Sequence, residues 1–152
     1  MRMSEQGLNW LAAWEGGCKT RVYLDSAGYP TIGVGHLICD GEDFVQGREY
    51  DRDRLMALFR EDVADAEGAV NRHVKVTLEP NQFDALCSFT FNLGETNFRR
   101  STLLKRVNAN RFGDVPDELA RWNKAGGQVV RGLTRRRKAE GEAFTAGVYP
   151  MP

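Results

Sequence analysis

The sequence predicts an α+β fold dominated by helix, with a small N-terminal β-hairpin lobe, a larger helical lobe and a cleft between them. Three observations predict it. Strand and turn signals are confined to residues 21–37, and apolar residues recur at helical spacing in most of the remainder. The 152 residues, 41% apolar and 28% charged, are enough for one ordinary globular core. We expect a single domain over 1–152: a β lobe at about 15–50, a connecting helix at about 51–72 and a helical lobe at about 73–147, with helix 4–14 packing on it.

Each element has a local cause. Ser4 is an N-cap for the first helix, Leu8, Leu11 and Ala12 keep its period, and Gly16-Gly17 stops it. Arg21 to Leu24 reads as a strand, Asp25-Ser26-Ala27-Gly28 as a turn, and Tyr29 to Ile32 as a returning strand that Pro30 marks as an edge. Residues 40–50 read as a loop. Leu55, Phe59, Val63, Ala66 and Val70 step by three or four along one long helix at about 51–72. Pro80 opens a central helix that is apolar on much of its circumference and closes at Asn92-Leu93-Gly94. Ser101-Thr102 caps a helix through about Asn108, and Asp114 and Pro116 start another that runs to Trp122. Lys124 to Gly132 reads as a Gly-rich loop, Thr134 to Ala146 as the last helix, and Val148 to Pro152 as a loose tail.

Chemistry concentrates around the hairpin. Glu15 lies at the C-terminal end of the first helix, where the helix dipole disfavours a negative charge. Partial burial beside Trp14 would act in the same direction, and both effects would raise its pKa. Asp25 precedes the turn and Thr31 follows it. Two carboxyl groups and a hydroxyl on either side of a tight hairpin are the parts needed for acid/base work on a sugar linkage. Gly33 and Gly35 allow close approach to the backbone, but they do not continue as G-x-G-x-x-G, which excludes a dinucleotide or phosphate fingerprint. His36 has no Ser or Cys partner at a recognisable spacing and reads as a hydrogen-bonded structural histidine.

The set Glu15-Gly16, Asp25, Gly28, Thr31-Ile32-Gly33 and Gly35-His36 resembles the phage-type (T-even-like) lysozymes, glycoside hydrolase family twenty-four. The likeness continues through Asn81 to Leu86, Phe89, Phe91 to Gly94, Ser101 to Leu104, Arg121-Trp122-Asn123, and Gly132-Leu133 with Arg135-Arg136 and Glu140, so it spans roughly residues 5–147. The resemblance implies an endolysin that hydrolyses the β-1,4 bond between N-acetylmuramic acid and N-acetylglucosamine in bacterial peptidoglycan. It implies Glu15 as general acid, Asp25 as second carboxylate and Thr31 as the hydroxyl that helps to place the attacking water. It implies sugar contacts at Leu37 and Phe91, and support of the catalytic glutamate by an arginine of the last helix, Arg135 or Arg136. Gly33, Gly35 and His36 support the hairpin. The family generally inverts, which needs carboxyl groups about 6.5–9.5 Å apart. One departure stands out: nine residues, Gly16 to Leu24, separate Glu15 from Asp25 where the family usually has eight.

Charge and composition bound the partners. Formal net charge is zero, but residues 1–50 carry a net of −3 and residues 97–138 a net of +9. That asymmetry suits a polyanion. In a nucleic-acid reading Arg135 to Lys138 would supply phosphate contacts; no recognition motif accompanies them, and no nucleic acid is expected as a partner. Anionic wall polymers suit the same charge. Cys18, Cys39 and Cys87, with no C-x-x-C, read as reduced thiols, although Cys18 and Cys39 flank the hairpin. With only His36 and His73 besides these, neither metal nor cofactor is expected. No membrane span and no signal peptide are read, so we expect synthesis in the host cytoplasm and action on the wall, with room for a holin-type export partner. A monomer is expected.

Overall fold

The computed structural model describes residues 1–152. In chain order the elements are α1 (Glu5–Trp14), β1 (Lys19–Leu24), β2 (Pro30–Gly33), β3 (His36–Leu37), α2 (Arg52–Asp62), α3 (Ala64–His73), α4 (Pro80–Leu93), α5 (Glu95–Arg100), α6 (Thr102–Asn108), α7 (Val115–Ala120), β4 (Lys124–Ala125), β5 (Gln128–Val129) and α8 (Arg131–Ala146). The chain forms two compact units, one of Leu11–Ala64 and one of Met1–Trp10 with Asp65–Pro152.

The unit of residues 11–64 is built on an antiparallel sheet in the order β1-β2-β3, with α2 packed on it. Ile32, Tyr50 and Leu55 form its core, and Cys18, Val22, Ile38 and Phe44 pack against them. Gly33 takes φ +64, so the turn conformation favours glycine, while a Cβ there would make only an ordinary contact with the Leu55 Cβ at 3.4 Å. Asp51 caps α2 by accepting from the Asp53 N–H.

The other unit centres on α4, whose residues Phe83 to Thr90 are all buried. α4 packs on α8, and α8 on α7. Fully burying Phe83 or Phe89 is worth about 1.5–3 kcal/mol of transfer free energy each. Ser101 caps α6 by accepting from the Leu104 N–H. Ser4 caps α1 by accepting from the Gly7 N–H, as its position predicts.

Four expectations are corrected. The helix predicted as one over 51–72 is two: α2 ends at Asp62, Val63 is its C-cap, and α3 begins at Ala64. Neither Gly nor Pro marks that break in the sequence. Glu95–Arg100, unassigned from sequence, is the short helix α5. Within the predicted Gly-rich loop, Lys124-Ala125 pairs with Gln128-Val129 across Gly126 and Gly127, both at positive φ, making a small hairpin. The tail is not loose: the Tyr149 hydroxyl donates to Asp84 Oδ2 at 2.8 Å, and the Trp10 Nε1–H donates to the Pro150 carbonyl at 2.9 Å. All three cysteines are free, with Cys18 half-buried, Cys39 exposed and Cys87 buried. No helix is long and apolar enough to cross a membrane.

Candidate active site

Glu15 is placed by the way α1 ends. The Gly17 N–H donates to the Ala12 carbonyl at 2.9 Å and the Gly16 N–H to the Ala13 carbonyl at 3.2 Å. That pair of bonds is the Schellman closure of a helix, and it puts Glu15 at the C-cap. It requires left-handed backbone just beyond, which Gly16 (φ +97) and Gly17 (φ +83) supply. Glu15 is half-buried, and its Oε1 is shielded from solvent.

Asp25 is placed by the turn it begins. Its Oδ1 accepts from the Ala27 N–H at 2.9 Å and the Tyr29 N–H at 2.8 Å. Its backbone N–H donates to the Tyr29 carbonyl, and its carbonyl accepts from the Gly28 N–H, both at 2.9 Å. The side chain is therefore clamped at one oxygen by two amides, which fixes the carboxylate relative to the turn. β1 pairs with β2 through Tyr23 and Thr31, with irregular register between Lys19 and Tyr23. That bulge and the double-glycine cap both lie in the nine-residue connection from Glu15 to Asp25.

Thr31 sits on β2, opposite Tyr23 on one side and Leu37 on the other. It is 2% exposed, and its Oγ1 donates to the Tyr29 carbonyl at 2.9 Å. An Oγ that donates to a carbonyl keeps its lone pairs for accepting from a water. Leu37 is exposed at the end of β3. Gly33 and Gly35 shape the turn from β2 to β3, both at positive φ.

His36 is held on both sides. Its Nδ1 lies 2.8 Å from Asp62 Oδ2 and its Nε2 lies 2.9 Å from Glu42 Oε2. Burial pushes its pKa down, but the hydrogen bonds and charges of Glu42 and Asp62 outweigh burial and raise it. Glu42 is lowered, chiefly by the Cys39 N–H that it accepts from at 2.7 Å, and further by His36. Nothing local in the sequence marks Glu42 and Asp62 as the partners of His36, because they come from a loop and from the end of α2.

The remaining candidates belong to the other unit. Phe91 is half-buried near the end of α4, unlike Phe89, which is fully buried. Arg135 is exposed, whereas Arg136 is 6% and Arg137 1% exposed. Only Arg135 and Lys138 of the basic run are thus surface groups; the other two point into the helical core. Arg137 Nη2 donates to Glu140 Oε1 and to Asn92 Oδ1, each at 2.9 Å. Glu140 is fully buried and also accepts from Ser88 Oγ at 2.7 Å. Burial raises its carboxyl pKa against the pull of Arg137 and Arg136. Ser88 and Arg137 escaped the sequence reading because their partners lie across α4 and α8, far apart in the chain. No group of three or more His, Cys, Asp or Glu side chains is arranged to hold a metal.

A model of the phage lysozyme family matches residues 12–140. The endolysin of Bacillus phage B103 is 36% identical over 149 residues, covering 97% of this chain and 55% of that protein. The endolysin of Salmonella phage P22 is 37% identical over 139 residues, covering 91% of this chain and 94% of that protein. The chain therefore spans about half the length of the first relative and nearly all of the second. A crystal structure of a P22 lysozyme point mutant superimposes with a TM-score of 0.87 at 35% identity, covering 96% of this chain and 99% of that one. The endolysin from Escherichia coli O157:H7 phage FAHEc1 superimposes with a TM-score of 0.86 at 34% identity, covering 99% and 97%.

Proposed function

The chain belongs to the phage lysozyme family, and from that premise we propose that it is an endolysin cleaving the β-1,4 bond between N-acetylmuramic acid and N-acetylglucosamine in bacterial peptidoglycan. Its fold is the lysozyme-like α+β one. Within the family we assign it to the T-even-like group, glycoside hydrolase family twenty-four, on the motif from Glu15 to His36.

Glu15 is the general acid and protonates the leaving oxygen. Asp25 takes a proton from water, and Thr31 accepts a hydrogen bond from that water and so orients it. Attack from the opposite face inverts the anomeric carbon. The single observation that carries this reading is the clamped carboxylate: two amides fix Oδ1 of Asp25, so the group is pre-set to act as a base through Oδ2. Leu37 and Phe91 contact sugar, in keeping with the exposed position of the one and the partial exposure of the other. Of the two candidate arginines, Arg136 is buried and Arg135 is exposed. The protein acts as a monomer on the cell wall, after synthesis in the host cytoplasm and release with a holin-type partner.

Digestion of purified peptidoglycan tests this reading. Products should end in reducing N-acetylmuramic acid, and proton NMR at early times should show the α-anomer first. Absence of any released saccharide would remove the enzyme reading, and a β-anomer formed first would remove inversion.

A further inference from the structure

We propose that Tyr23 is a further substrate-contacting residue, whose phenol hydroxyl donates a hydrogen bond to an oxygen of the sugar held beside Asp25 and Thr31. The proposal rests on the reading above, in which those two residues act at the glycosidic bond of that sugar.

Strand pairing puts Tyr23 in this place, within the unit of residues 11–64 alone. Tyr23 pairs with Thr31, and Thr31 pairs in turn with Leu37. Residues paired across a sheet point to one face, and neighbours along a strand point to opposite faces. Tyr23, Thr31 and Leu37 therefore form a single row across β1, β2 and β3. Val22, Ile32 and Ile38 each adjoin a member of the row and point the other way. All three belong to the apolar core of this unit, so the row lies on the face turned away from that core. In the reading above Thr31 orients water and Leu37 contacts sugar, while Tyr23 at the other end of the row has no role.

Packing explains Tyr23 poorly. A tyrosine taken out of water for its ring normally finds a partner for its hydroxyl. Tyr50 does, accepting from the Val45 N–H at 2.6 Å, and Tyr149 does, donating to Asp84 Oδ2 at 2.8 Å. Tyr23 is half-buried, yet its hydroxyl makes no hydrogen bond within the protein. Its ring is held by a cation instead, with Lys19 Nζ 5.4 Å from the centroid. Asp25 lies two residues further along the chain, and its charge is felt at the phenol: burial first, and then Asp25, raise the hydroxyl above its ordinary 10.0. The group therefore keeps its proton at neutral pH and presents a donor. Sugar hydroxyls, ring oxygens and acetamido carbonyls are all acceptors that such a donor suits.

Tyr23→Phe removes the hydroxyl and keeps the ring. On solubilised peptidoglycan it should raise KM roughly two- to tenfold with kcat nearly unchanged, as expected for one neutral hydrogen bond made in the ground state and the transition state alike. The melting temperature should not change, because the hydroxyl bonds nothing in the protein. Binding is read apart from turnover in a Glu15→Gln background, where adding Tyr23→Phe should weaken the Kd for uncross-linked glycan chains by the same factor. Unchanged KM and Kd would overturn the contact. A raised KM accompanied by a lower melting temperature would also overturn it, and assign Tyr23 to packing. Asp25→Asn on the same substrate separates the two levels of the argument. If it is inactive while Tyr23→Phe behaves as wild type, this proposal alone fails. If Asp25→Asn is fully active, the reading of the site fails and this proposal with it.

Discussion

Asp25 is held at one oxygen by two amides, and in the proposed mechanism it is the base. Asn keeps an oxygen that accepts from the Ala27 and Tyr29 amides, so Asp25→Asn should preserve the turn and its melting temperature. On the proposed mechanism it removes the charge that takes the proton, and activity should fall about 10²- to 10⁴-fold. Thr31→Ala should lose less, since it removes an orienting group and not the base. Lytic rates with parallel circular dichroism check both, and a fully active Asp25→Asn would contradict the role of that carboxylate. The same residues explain what could be read in advance. The spacing of Asp25, Gly28 and Thr31 encodes a turn through local backbone geometry, and Gly16-Gly17 encodes a helix stop, so both were legible. The burial of Arg136 and Arg137 was not, because it depends on Ser88 and Asn92, which neighbour them only after folding. A run of four basic residues reads as surface until its partners are known.

At the scale of elements, α4 decides the core of its unit. Phe89 is fully buried and packs edge-on against Phe98 and Trp122, with centroids at 6.2 and 5.5 Å. Phe89→Ala should therefore cost about 3–5 kcal/mol. Phe91, only half-buried, should cost less when changed to Ala and should weaken substrate affinity instead. Urea denaturation and KM separate the two, and a larger stability loss at Phe91 would reverse the assignment. The turn into β3 and the end of α2 are joined through His36. Its folded pKa is raised above 6.5, so its contribution to stability is fully present below 6.5 and is lost as pH rises through the raised value. Glu42 is lowered from 4.5, so its share is present above 4.5 and is lost as pH falls through the lowered value. The stability gap between wild type and His36→Gln should thus be widest between 4.5 and 6.5 and should close towards alkaline pH. Denaturation curves across that range test it, and a gap that widens above neutrality would contradict it. Elements opened by Pro80 or capped by Ser101 were legible, since the cap is local. The break at Val63 was not: the apolar period runs straight through it.

At the scale of the whole molecule, segments distant in sequence are tied at Asp84, which is fully buried. It accepts from the Ser4 N–H at 2.9 Å, the Ser4 hydroxyl at 2.5 Å and the Tyr149 hydroxyl at 2.8 Å. A Cβ at Gly7 would lie 2.3 Å from its carboxyl group, so only glycine fits there. The sequence could not announce this hub, whose partners stand 80 and 65 residues away. Burial, and then Asp84, push the Tyr149 hydroxyl from 10.0 to about 12. Its contribution to stability is therefore complete below 10.0 and is lost as pH rises towards about 12. The difference between wild type and Tyr149→Phe should shrink over that interval in denaturant titrations, and a difference independent of pH would contradict the contact. Charge is divided too, with a net of −3 over residues 1–50 and +9 over 97–138, although two of the latter charges, Arg136 and Arg137, are buried against Glu140. The central claim is that Glu15, held at the C-cap by Gly16 and Gly17, delivers the proton that breaks the glycosidic bond. Release of reducing ends from purified peptidoglycan by Glu15→Gln, set against wild type at equal concentration, tests it most directly. The account predicts a rate lower by about 10²-fold or more with the melting temperature retained, and equal rates for the two proteins would contradict it.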